Sequence, residues 1–195
     1  MKKHNKKLGI ILTETLIAIG MIAVGVVISS SIINSSITTI KTAQNFLTAQ
    51  NLITEGIESV KNIRNTNWLK NPNESSCWLR TDVTIDDCSS ATFPNTTDNY
   101  IADNGSGIWK ITEVSAQELD LSGTNVTGQE LYRLYIDDNG LYTNNASGNT
   151  SSNFYRSVKF TKITADQAEF EIKVQWKDGV KIVGATRKYL MANYR

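Results

Sequence analysis

The chain has 195 residues, of which 40% are hydrophobic and 20% charged, with a formal net charge of +1. That length suits one ordinary domain or a domain with an appendage. The single histidine, His4, lies in a basic N-terminal tip. Without that tip no imidazole is left, which excludes Ser-His-Asp triads, His-ligated zinc and imidazole acid–base chemistry. No enzymatic activity and no cofactor or metal is therefore expected.

The charge is unevenly spread. Residues 1 to 9 hold four lysines and no acid, so the remainder has 20 − 4 = 16 basic and 19 acidic side chains, a net of −3. That balance gives no footprint for nucleic acid. From Thr15 to Ile40 there are 26 residues without a charge, and Glu14 is the only one between Lys7 and Lys41. As a helix the uncharged run is about 39 Å long, enough to cross a hydrocarbon core of roughly 30 Å. The lysines on its N-terminal side place that end in the cytoplasm.

A secretory signal peptide has an apolar core of only about 7–15 residues, so this run is too long for one. A plain signal anchor fits the length and the charge bias but leaves Glu14 unexplained. An intramembrane carboxylate is costly and usually has a partner.

The local run Lys6-Lys7-Leu8-Gly9-Ile10-Ile11-Leu12-Thr13-Glu14-Thr15-Leu16 resembles the leader and cleavage site of type IV prepilins and pseudopilins. In that family a basic leader ends in glycine, followed by Phe-Thr-Leu-Ile-Glu and an apolar stretch. Gly9, Leu12, Glu14 and Leu16 fall on matching positions, while Ile10, Ile11 and Thr13 replace the usual Phe, Thr and Ile. The resemblance implies that prepilin peptidase cuts between Gly9 and Ile10 and methylates the new Ile10 amine. It also implies that Glu14 serves assembly into a fibre with other pilin subunits, on a membrane assembly platform, after a stage in membrane lipid. The physics agrees: a Glu14 carboxylate and an Ile10 ammonium of neighbouring subunits would offset each other's desolvation in a medium of low dielectric.

Beyond Ile40 the pattern becomes amphipathic. Phe46, Ala49, Ile53, Ile57, Val60 and Ile63 recur at spacings of three or four and predict a buried stripe. One continuous helix is expected from about Leu12 to about Asn67, stopped by Asn71-Pro72-Asn73. Many type IV pilins carry a proline midway along this helix, and none occurs here between Ile10 and Lys70. Gly56 inside it points to close packing against the rest of the protein, since glycine costs roughly 1 kcal/mol in a helix relative to alanine.

Between Asn71 and Gly128 turn residues are dense, and short strands are predicted at Trp78–Ile85 and Ile108–Val114. Cys77 and Cys88 enclose a ten-residue loop. A disulfide there would stabilise by roughly 2–3 kcal/mol in the chain-entropy account, and two cysteines alone cannot hold structural zinc.

After Gln129 the sheet signal strengthens. Leu131–Asp137 and Leu141–Asn144 flank Asp138-Asn139-Gly140, a hairpin signal. Phe154–Ile163, Ala168–Trp176 and Val180–Leu190 then read as an antiparallel meander. Ala168, Phe170, Ile172, Val174 and Trp176 share one face, and the other face is expected to be wet. Asp137-Asp138-Asn139-Gly140, and Asp98 with Asp103-Asn104-Gly105, lack the alternating acid spacing of a calcium loop and read as turns.

The expected fold is α+β: a long N-terminal helix, membrane-spanning in its first half, packed against an antiparallel sheet as a pilin-like ladle. The expected organisation is a removed leader at 1–9, a membrane or fibre-core half-helix at 10–40 and an amphipathic half at 41–70. A globular part at 71–195 follows, with an insertion at 71–130 and the sheet at 131–195. The expected function is that of a structural minor pilin or pseudopilin in a type IV pilus-like fibre. It would be held first in the cytoplasmic membrane, N-terminus inside, and then in an extracellular or periplasmic fibre. A pseudopilin of a type II secretion system, or an uncleaved single-pass anchor carrying a binding domain, are the alternatives.

Overall fold

A computed structural model describes residues 5–71, 75–84, 92–104, 107–114, 117–122 and 126–193. The chain divides into two compact units, residues 1–44 and 45–195. The fold is α+β: a long N-terminal helix and a seven-stranded, wholly antiparallel sheet.

Helix α1 spans Asn5–Lys70, starting seven residues before the expected boundary. It stops beside Pro72, whose ring disfavours a helical residue before it. Asn71 donates its amide to the Asn67 carbonyl at 3.0 Å, closing the last turn. In the first unit every described side chain of α1 from Leu12 to Ile40 is exposed.

In the second unit α1 lays one stripe on the sheet. Ala49, Ile53, Ile57, Val60 and Ile63 are buried as their spacing predicts, joined by Leu52, Ser59 and Asn67. Phe46 departs from the prediction and is half exposed, because it lies a turn short of the covered stripe.

The strands are β1 (Asn99–Asp103), β2 (Lys110–Val114), β3 (Arg133–Ile136), β4 (Tyr142–Thr143), β5 (Thr150–Ile163), β6 (Gln167–Asp178) and β7 (Lys181–Ala192). On one edge β5 pairs with β3 through its first half and with β1 near Val158, and on the other with β6, which pairs with β7. The sheet therefore takes in two strands from the stretch read as insertion. β6 alternates as expected, with Ala168, Phe170, Ile172, Val174 and Trp176 all buried. In the β6–β7 hairpin Asp178 pairs with Lys181. This leaves Gly179 and Val180 as a two-residue loop with Gly179 at φ +64°, the glycine-first turn that matches sheet twist.

Two expectations are corrected. The strand expected at Trp78–Ile85 does not form over its described residues, 78–84, with Ile85 lying outside them: Ser75–Leu79 is a 3-10 helix followed by an isolated bridge between Asp82 and Lys110. Its backbone is satisfied from outside the segment. Asn67 donates to the carbonyls of Trp78 and Arg80 at 3.3 and 3.1 Å, and Arg80 returns a bond to the Asn67 side-chain oxygen at 3.3 Å. Leu131 and Tyr132 likewise belong to a 3-10 helix, Val126–Tyr132, and the strand begins at Arg133.

The outer face of the sheet is also less wet than expected. Residues 117–122 and 126–132 lie over it, and Val114, Leu119, Leu121, Tyr132 and Tyr155 form a second small core there. Leu121 donates its amide to Gln175 Oε1 at 2.9 Å, and Lys159 and Lys173 reach Glu118 at 3.0 and 3.6 Å. The ion pair and hydrogen bond with Lys159 hold the Glu118 carboxyl below its usual range. Tyr132 donates its hydroxyl to the Gln117 carbonyl at 3.0 Å, and burial pushes its pKa up to about 12.

Gly56 sits where α1 meets β6. A Cβ at that position would stand 3.0 Å from Ile172 Cγ2 and 3.3 Å from its Cδ1. Gly56→Ala is expected to be nearly neutral, because roughly 1 kcal/mol of helix propensity offsets the crowding. Gly56→Val should lose about 1–3 kcal/mol by overpacking, and Ile172→Ala in the same chain should return part of it. Urea denaturation of the two single variants and the double variant measures that coupling.

Candidate functional site

The candidate site is the first unit's helix. Gly9 and Ile10 lie inside α1, which begins at Asn5, and Glu14 is exposed one turn beyond Ile10. Residues 10 and 14 are i and i+4 on a helix, hence on one face. Among the described residues Glu14 has no hydrogen-bond or ion-pair partner. It is the lone charge on a surface where Leu12, Leu16, Ile17, Ile19, Met21 and Ile22 are each between 59% and 68% exposed or, for Met21, 72%.

The polar residues of this segment spend their donors internally. Thr15 donates to the Leu12 carbonyl at 2.9 Å, Ser29 to that of Gly25 at 2.8 Å and Ser30 to that of Val26 at 2.9 Å. Thr38 and Thr39 both donate to Ser35, at 2.8 and 2.9 Å. Hydroxyls bonded back to the preceding turn need no water, and the helix supplies its own backbone partners. Ser29 and Ser30 therefore do not disqualify the run from an apolar medium. α1 is long and apolar enough to cross a membrane, with its most apolar window wholly unburied. It is compatible with single-pass anchoring near the N-terminus.

The second unit has a different centre of polar chemistry, which the sequence reading missed. Arg156 on β5 is 1% exposed. Its Nη1 donates to the Leu52 carbonyl at 3.3 Å and to Glu55 Oε1 at 3.0 Å, and its Nη2 donates to the Ala102 carbonyl at 3.0 Å. One guanidinium thus joins α1, β5 and β1. A signal was present: Phe154, Arg156, Val158 and Phe160 alternate on the inward parity of β5, so a cation there needed a buried acceptor set.

Cys77 is fully buried within the 3-10 helix, and Cys88 lies outside the described residues. Trp78 is buried and Trp109 packs against the same core, so neither forms an exposed patch. Three of the aspartates weighed as calcium ligands are spent on hydrogen bonds within the fold. Asp137 Oδ1 accepts from the amides of Asn139 and Leu141 at 2.9 and 2.8 Å, beside Gly140 at φ +79°. Asp98 accepts from Asn95 and Thr97, and Asp103 accepts from Thr143 Oγ1 at 3.0 Å. Gly105 lies outside the described residues. Among the described residues no three His, Cys, Asp or Glu side chains gather as a metal cluster.

No protein-family description, curated protein or solved structure matches this chain.

Proposed function

We propose that the chain is a structural, non-enzymatic minor pilin or pseudopilin. Prepilin peptidase cuts it after Gly9 and methylates Ile10. The mature chain waits in the cytoplasmic membrane, N-terminus inside, and then joins other pilin subunits in a type IV pilus-like fibre through the assembly platform. The observation that carries this reading is Glu14. A lone carboxylate on an otherwise apolar, exposed helix, five residues past a glycine that ends a basic segment, has a purpose if it meets the Ile10 ammonium of a neighbouring subunit. A plain anchor gives it none. A Cys77–Cys88 disulfide in the outward-facing unit completes the reading. Nucleic acid has no place in it.

Intact-mass and N-terminal analysis of the protein from membranes containing a prepilin peptidase tests the proposal. The expected chain begins at Ile10 with one added methyl, and replacing Gly9 by a bulky residue abolishes that product. A chain that retains residues 1–9 while a control substrate is cut would make it an uncleaved anchored protein instead.

A further inference from the structure

The β6–β7 hairpin is the part of the second unit that the proposed function leaves unused. Its loop residue Val180 is fully exposed, Ile182 is 36% exposed, and both flanking lysines, Lys177 and Lys181, are exposed. Asp178, the one acid there, is half-buried. β7 carries Lys181, Arg187 and Lys188 and no acid along its whole length. An apolar tip between lysines is unsuited to bulk water and suited to a headgroup layer, where the alkyl group enters the acyl boundary and the ammonium groups meet phosphates.

The hairpin tip also lies at the end of the second unit where the chain enters it. β7 tracks α1 in reverse. Asn193 accepts from Trp68 at 3.1 Å, the Ala192 carbonyl accepts from Arg64 at 3.4 Å, Tyr189 lies under Lys61, and Arg187 reaches Gln50 at 3.2 Å. From Arg187 the strand continues six residues to Lys181, about 20 Å at the usual rise. From Gln50 only five residues, about 8 Å of helix, remain before Asn45. The tip therefore reaches the Asn45 end of the second unit or passes it. Only Lys41–Gln44 separate Asn45 from the uncharged run that ends at Ile40. Even fully extended, that chain spans no more than about 18 Å, so this end stays close to whatever medium holds the run.

We infer that the Val180 tip, with Lys177 and Lys181, is a docking surface for anionic phospholipid headgroups, resting the second unit on the outer membrane–water boundary before assembly. This rests on the membrane reading of residues 15–40, not on cleavage or fibre formation. Withdrawal from the bilayer into a fibre would free the tip, so lipid contact marks the stored subunit.

The test uses the full chain in vesicles of phosphatidylcholine alone, in vesicles with about one third phosphatidylglycerol, and in neutral detergent. Amine acetylation is read residue by residue by mass spectrometry. Lys162, exposed at the other end of the sheet, is the internal control. Acetylation of Lys177 and Lys181 should fall at least threefold in the anionic vesicles alone, and Val180→Asp should abolish that protection while Lys162 stays constant. Flotation of the vesicles separates the failures. A chain that does not float overturns the membrane reading and this inference with it. A chain that floats with Lys177 and Lys181 as reactive as in detergent overturns the inference alone. Protection that also occurs in neutral vesicles and grows with protein concentration would assign the tip to a second copy, and overturns it too.

Discussion

Arg156→Ala will destabilise the second unit by about 2–5 kcal/mol, the range for emptying the volume of a large buried side chain. The guanidinium holds the Leu52 carbonyl and the Glu55 carboxylate on α1 and the Ala102 carbonyl on β1. Its loss strips the Ala102 carbonyl of this donor, leaves the Leu52 carbonyl only its bond within the helix, and opens a cavity between helix and sheet. Each unmet buried acceptor costs about 1–3 kcal/mol. Glu55 is 35% exposed at its side chain and regains water, so the Ala102 carbonyl and the cavity carry most of the loss. Arg156→Met should recover part of it by refilling the volume, since well-packed apolar replacements of buried ion pairs are often tolerated. Glu55→Ala should cost less than Arg156→Ala, because Arg156 keeps both carbonyls. The near-ultraviolet signal of buried Trp78 and Trp176 against urea, with the chain in detergent, orders the three variants. An Arg156→Ala chain as stable as the parent would mean the guanidinium contributes nothing net to the helix–sheet contact.

The parts of this fold that were legible are those whose stability is decided locally. α1 declares itself by an unbroken apolar run that passes into a three-four stripe, and β6 by five alternating inward residues from Ala168 to Trp176. The parts misread depend on distant partners. Residues 78–85 look strand-like because Trp78, Leu79 and Val83 are apolar, yet the carbonyls of Trp78 and Arg80 are claimed by Asn67, thirteen residues or fewer away along the chain but on another element. β1, with acids or amides at both ends, has no alternation strong enough to announce it. It exists because β2 pairs along it and Tyr100 meets Val158 of β5. β5 begins four residues early for the same reason: Thr150 and Ser151 are polar, and β3 recruits them. Within the candidate site, the reading of Gly9, Ile10 and Glu14 rests on their spacing in the sequence, and the structure adds that Glu14 is exposed. Arg156 was overlooked although its inward parity was available, since the alternation of β5 was read for its apolar members only.

If the chain assembles as proposed, Glu14→Leu should leave membrane insertion intact and reduce incorporation into a fibre by about tenfold or more. Insertion is set by the hydrophobicity of residues 15–40, and removing a carboxylate from that end can only favour it. Assembly differs because the acid has a prospective partner. If Ile10 begins the mature chain, its ammonium stands on the face that carries Glu14, and within one subunit the two are a helical turn apart. Between axially staggered copies, the carboxylate of one can meet the amine of the next. In a helix bundle without water, either charge alone bears a desolvation cost that the pair offsets. A tenfold change needs about 1.4 kcal/mol, less than the cost of one unmatched charge in such a medium. Glu14→Leu therefore leaves the Ile10 ammonium as the unmatched group, and Glu14→Gln, which keeps a hydrogen-bond acceptor without the charge, should fall between. Quantifying tagged subunit in sheared fibres against that retained in membranes reads the ratio directly. Equal fibre content for Glu14→Leu and the parent would separate Glu14 from assembly and leave the acid without a role in this reading.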